Sequence, residues 1–115
     1  MFNEICIYEA KIDQQTEIEL LMKEVAKFYQ AQSGVIRVTF IKRTHRQKDF
    51  NSAKEGEAPI RLIRNIGKIT YVLHLILDNE ETYAKVSKLA TEKFYHRWDC
   101  CLISMPKTIL GETIE

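Results

Sequence analysis

A chain of 115 residues is long enough for one compact core and too short for two. Seventeen Lys and Arg against sixteen Asp and Glu leave a net charge of +1, so no global field draws the protein to nucleic acid or to an anionic membrane, and any basic site must be local. Met1-Phe2-Asn3-Glu4 lacks the basic and apolar pattern of a leader, and no run approaches the ~20 apolar residues of a membrane span, so a soluble, cytoplasmic protein without a membrane partner is expected.

Cys6, Cys100 and Cys101 are an odd set with a vicinal pair, which fits no disulfide framework and reads as reduced thiols. Cys100 and Cys101 with His96 bring three metal-competent side chains close in sequence. On a strand, adjacent cysteines point to opposite faces, and no second ligand pair follows at finger-like spacing. Buried structural thiols are the preferred reading, and no metal is expected.

In chain order, residues 5–12 suit a first strand that Asp13 interrupts. Ile18, Leu21, Met22, Val25, Phe28 and Tyr29 then form the stripe of an amphipathic helix, which Asp13 or Thr16 would cap. Ser33-Gly34 ends it, and Val35 to Ile41 reads as strand two. Residues 42–65 form a long, charged, mostly polar loop whose centre, 50–57, has neither a helical nor a strand period. Strand three, Lys68 to Leu77, is the most apolar run. Asp78-Asn79 caps a second helix with Tyr83, Val86, Ala90 and Phe94 on one side. The last strand is placed at Cys101 to Met105, with Pro106 limiting central pairing and 107–115 free to extend an edge strand or reach a partner.

The order β-α-β-β-α-β predicts an α+β, ferredoxin-like domain: two right-handed crossovers put both helices on one face of a four-stranded antiparallel sheet. The other face then lacks cover. Strand three offers Thr70, Val72, His74 and Ile76 there, an apolar surface that a monomer avoids exposing. A homodimer with its two sheets face to face is therefore expected.

The element order, the short chain, the Gly34-Val35 start of strand two and the helix after the apolar third strand make the sequence resemble the dimeric α+β barrel superfamily, particularly antibiotic-biosynthesis-monooxygenase-like domains. The resemblance implies two ferredoxin-like subunits closing a barrel, in a family of cofactor-free oxygenases, haem-degrading enzymes, isomerases and proteins of no known activity. Two departures stand out. The 42–65 loop is longer than the family's usual link, and would be an added lid or binding element. The haem-degrading branch carries an Asn, Trp and His set with its Trp near the third strand, whereas Trp98 lies at or beyond the end of the second helix, so haem is not implied and no cofactor is expected.

If the face bearing Thr70 and His74 lines an inter-subunit cavity, His74 is the titratable group there best placed to remove a proton from an acidic carbon near neutral pH. The alternative is a buried neutral histidine bonded to a neighbour. Arg37 and Thr39, read as sharing a strand-two face with Val35 and Ile41, are candidate ligand-binding residues, with the Arg37 fork of donors suited to a carboxylate or phenolate-like oxygen. Arg37 also reads as an edge-strand charge that discourages aggregation. Tyr8 adds a pocket hydroxyl or fills core.

The basic run Lys42, Arg43, His45, Arg46 and Lys48, joined by Arg61 and Arg64 after Pro59, is interrupted by Asp49, Glu55 and Glu57 and has no aromatic platform beyond Phe50, so it reads as a solvated, mobile loop rather than a phosphate or nucleic-acid site. An RNA-recognition module shares the element order, but its third strand needs stacking aromatics, and here only Tyr71 and His74 offer them, so no nucleic-acid partner is expected. The reading that results is a dimeric, monooxygenase-like barrel binding a small, largely apolar molecule. Its rival is a non-catalytic ligand-sensing or protein-interaction domain.

Overall fold

The structure is a computed structural model that describes every residue from Met1 to Glu115. Its elements are β1 (Phe2–Ala10), α1 (Gln15–Gln30), β2 (Val35–Lys42), a one-turn α2 (Phe50–Ala53), β3 (Ile69–Leu77), α3 (Glu80–Cys101) and β4 (Lys107–Glu112). The strands form one antiparallel sheet in the order β2-β3-β1-β4, the ferredoxin-like arrangement. No helix is long and apolar enough to cross a membrane.

Alternation along the central strands divides the sheet. Ile69, Tyr71, Leu73, Leu75 and Leu77 of β3 and Cys6, Tyr8 and Ala10 of β1 are buried. They pack against Ile18, Leu21, Met22, Val25 and Tyr29 of α1 and Val86, Ala90 and Phe94 of α3. The opposite face carries Ile5, Ile7, Val72, Ile76 and Ile41, and no element covers it.

Helix α3 begins with Asn79 Oδ1 accepting a hydrogen bond from Thr82 N at 2.8 Å, an N-cap of the usual kind. No side chain caps α1, contrary to the expectation for Asp13 or Thr16; a 3₁₀ turn over Ile12–Gln14, closed by Gln14 N to Lys11 O at 3.0 Å, leads into the helix instead. Gly34 has φ +88°, the left-handed turn that delivers the chain into β2.

Three expectations for the strands need correction. The first strand spans Phe2–Ala10, not 5–12, because Phe2 pairs with both Leu77 and Glu112 while Ile12 falls in the 3₁₀ turn. The last strand is Lys107–Glu112, not Cys101 to Met105. The apolar stripe of α3 continues past Phe94 through Trp98 to buried Cys101, which prolongs the helix, and Pro106, with no N–H to give, stands just before the strand. Cys100 and Cys101 are therefore helical, one exposed and one buried. Finally, a β-bulge between Val35 and Arg37 turns Val35 to the helix side with Val38 and Phe40, leaving Arg37, Thr39 and Ile41 on the open face.

The 43–68 segment is more ordered than a structureless loop. His45 bridges to Arg61, Arg46 N donates to Ile60 O and Leu62 N to Thr44 O, both at 2.9 Å. Buried Asp49 accepts from Ile60 N at 2.7 Å and pairs with Arg46 at 3.0 Å. These contacts make the segment a folded tongue projecting from one end of the sheet.

Candidate active site

A cleft of about 440 Å³ opens on the helix side of the sheet, between β1, α1, α3 and the Leu102–Pro106 connection. Its aromatic wall is Tyr8 of β1 stacked on Trp98 of α3, ring centroids 4.6 Å apart and planes 3° from parallel. The Phe40 ring lies tilted against Trp98, with centroids 6.2 Å apart. Tyr29, Tyr83 and Tyr95 add further aromatic surface, and Ser87, Thr91 and Ser104 add hydroxyls.

Glu4 is the one carboxylate set among the aromatic side chains of this cleft; Asp99 lies at the exposed rim. It shares a strand face with Cys6 and Tyr8 because β1 alternates. Burial raises its pKa above the ordinary carboxylate value, and a hydrogen bond donated by the Tyr83 hydroxyl to Glu4 Oε2 partly offsets that rise. Burial pushes up the phenols of Tyr8, Tyr29 and Tyr83, and for Tyr83 the hydrogen bond it donates to Glu4 adds to the rise, so all three stay protonated. Cys6, buried and within 3.5 Å of Thr108 Oγ1, is likewise held as a thiol.

The residues singled out from the sequence divide between the two sheet faces. Tyr8 lines the cleft. His74, Thr39, Thr70 and Arg37 all stand on the open face, where His74 sits between Ile5 and Thr39 in register, Thr70 opposes Glu9 and Arg37 opposes Ile76. His74 Nε2 lies 2.9 Å from Asn3 Oδ1, whose amide in turn reaches Thr113 Oγ1 at 2.9 Å. The open face thus brings His74 and Thr39 together and keeps both away from Tyr8.

Sequence reading passed over Glu4, Tyr83 and Trp98. Tyr83 sat in the helical stripe and read as core, and Trp98 was placed at the helix end. Glu4 falls outside a first strand that starts at residue 5, three residues late; a carboxylate continuing the Cys6-Tyr8-Ala10 face is the available signal.

No group of His, Cys, Asp and Glu side chains is arranged to hold a metal ion. Neither a protein-family model nor a curated protein sequence matches the chain. Its backbone is nevertheless similar to solved structures. Two are named "putative antibiotic biosynthesis monooxygenase": that from Nitrosomonas europaea has TM-score 0.73 and 9% identity over 100% of both chains. That from Bordetella bronchiseptica has TM-score 0.68 and 8% identity over 99% of this chain and 97% of its own. SnoaB, a cofactor-independent oxygenase from Streptomyces nogalater, has TM-score 0.62 and 9% identity over 99% and 94%. The chain has the ferredoxin-like fold of the antibiotic-biosynthesis-monooxygenase-like domains.

Proposed function

We propose that the protein binds a small, largely apolar molecule in the cleft on the helix side of its sheet and oxygenates it without a cofactor, with Glu4 as the proton acceptor. The observation that carries this reading is a desolvated carboxylate set among aromatic walls, with Tyr83 donating to it. A raised pKa makes Glu4 a stronger base than a solvated glutamate, and exclusion of water favours a charge-delocalised carbanion on a substrate stacked against Tyr8 and Trp98. The name of SnoaB supports cofactor-independent oxygenation as the chemistry.

The step balances with dioxygen as the co-reactant. Glu4 takes a proton from an activated CH2 group, the carbanion gives its electrons to O2, and the resulting peroxide anion takes the proton back from Glu4 to become a hydroperoxide. Loss of water then leaves a carbonyl. One oxygen atom enters the product and the other leaves as water, with all four electrons drawn from the substrate carbon.

The same reading makes the protein a homodimer through the open sheet face. Ile5, Ile7, Val72 and Ile76 form an apolar surface there, flanked by Ile41 and Ile109 on the two edge strands, and a second copy would remove it from water. In that dimer His74, Thr39, Thr70 and Arg37 face the partner's sheet. Engagement of His74 by Asn3 favours a structural role over that of base.

The test begins with ligands. Trp98 is the chain's one tryptophan, so quenching of its fluorescence reports occupancy of the cleft directly. Binders are then assayed for oxygen uptake by wild type, Glu4→Gln and His74→Ala. Retained binding with turnover lowered by about 100-fold or more in Glu4→Gln is expected, the usual scale for losing a general base. Turnover kept in Glu4→Gln and lost in His74→Ala would transfer the role to the open face. Binding with no oxygen uptake in wild type would assign a ligand-sensing role.

A further inference from the structure

The tongue at residues 43–68 has no part in the cleft, and its composition differs from that of the rest of the chain. It holds seven Lys and Arg against three Asp and Glu, a net charge of +4, whereas the remaining residues have ten against thirteen, a net of −3. Its surface is also apolar: Ile63 is wholly exposed, Ile66 is 77% exposed and Phe50 67%. Arg61 and Arg64 beside them are exposed and make no ion pair within the chain. Such a surface on a hydrogen-bonded, Asp49-anchored scaffold is a shaped binding element.

The opposite end of the sheet carries the complementary charge. Asp78 follows β3, Glu80 and Glu81 open α3, and Glu112 closes β4, all exposed, with Arg37 as the basic side chain nearest in register. Nine residues of β3 separate the two ends by about 30 Å at ~3.3 Å per residue. A molecule with a basic, apolar tongue at one end and an acidic patch at the other is self-complementary across a two-fold axis that reverses strand direction.

We infer that the tongue is an intersubunit clasp: Arg61, Arg64 and the isoleucines between and beside them dock on the acidic end, Asp78 to Glu81 and Glu112, of a second copy of this chain. The inference rests on the face-to-face dimer proposed above and adds to it the residues that select partner and orientation. Two clasps form per dimer by symmetry. Opposite charges at each steer association, exclude the strand-parallel alternative that would set tongue against tongue, and are screened by salt.

Sedimentation equilibrium of wild type, Arg61→Glu/Arg64→Glu, Glu80→Arg/Glu81→Arg and the fourfold combination, each in 0.05 M and 0.5 M salt, tests it. Each double variant is expected to weaken the dimer at least tenfold in low salt, with a smaller effect in high salt, and the fourfold charge swap to restore it. A dimer that Val72→Asp dissociates but Arg61→Glu/Arg64→Glu leaves untouched overturns the clasp while the sheet interface stands. A wild-type monomer overturns both. Flotation with phosphatidylserine vesicles, lost in Arg61→Glu/Arg64→Glu while the dimer constant stays unchanged, overturns the clasp and assigns the tongue to a membrane surface.

Discussion

The rings of Tyr8 and Trp98 lie parallel at 4.6 Å, so the first strand and the end of the longest helix share one aromatic wall. Stacking of this kind adds about 0.5–1.5 kcal/mol beyond the area it buries. Trp98→Ala should cost roughly 3 kcal/mol by urea denaturation followed by circular dichroism, and should abolish ligand binding. Trp98→Phe, which keeps a ring on Tyr8, should recover most of the stability. An alanine variant as stable as wild type would mean that the wall carries no packing role.

Glu4 makes the stability of the protein pH-dependent with a definite sign. Its folded pKa lies above its unfolded value, so its contribution is fully present below about 4.3 and is lost as pH rises through the folded pKa. Glu9 and Glu19, with lowered pKa values, act in the opposite sense, but they are common to wild type and variant and cancel in the difference. Glu4→Gln should therefore gain stability relative to wild type as pH rises from 4 to 8, read as a rising Tm difference in paired thermal melts. Parallel Tm curves across that range would contradict a desolvated Glu4.

Val72 sits at the centre of the open face, opposite Ile7 on one side and Ile41 on the other. An aspartate there leaves the helix-side core untouched. Val72→Asp should give a folded monomer with an unchanged circular dichroism spectrum, whereas a dimer of wild-type affinity would place the interface elsewhere.

Gly34 accepts φ +88° at no steric cost, and a Cβ there would come within 2.7 Å of Thr82 Cγ2 and 2.9 Å of the Asp78 carboxylate. Gly34→Ala should destabilise by about 1–3 kcal/mol, through the left-handed backbone and the crowding at the start of α3 together. Chemical denaturation with an unaltered midpoint would show that the turn relaxes.

Asp49 fastens the tongue through Ile60 N and Arg46. Asp49→Ala should leave the global melt nearly unchanged while limited proteolysis cuts between residues 43 and 68 at least several times faster. Equal cleavage rates would mean that the backbone bridges alone hold the tongue.

The element order and the core stripes were legible in the sequence because period 2 and period 3.6 are properties of local chain geometry. The buried alternation of β3 and the α1 stripe from Ile18 to Tyr29 follow from residue identity and spacing. The end of α3 was not, since Cys101 to Ile103 suits a strand as well as a helix, and packing of Trp98 against Tyr8 and Phe40 favours the helix. The bulge that moves Val35 and the pairing that extends β1 back to Phe2 depend on partner strands.

The site shows the same division. The sequence by itself determined that one sheet face would lack cover and that its polar members would include Thr70 and His74, because strand alternation assigns faces within one strand without knowledge of the partner, whereas the bulged pairing of β2 on β3 decided that Arg37 and Thr39 join them. Only the tertiary structure decided that a carboxylate from β1, a phenol from the first turn of α3 and an indole from its last would meet in one cleft. Glu4 and Tyr83 are 79 positions apart, and their hydrogen bond exists through the register of β1 on the sheet and the docking of α3 against it. Desolvation, which gives Glu4 its raised pKa, belongs to that assembled cleft and to no residue alone.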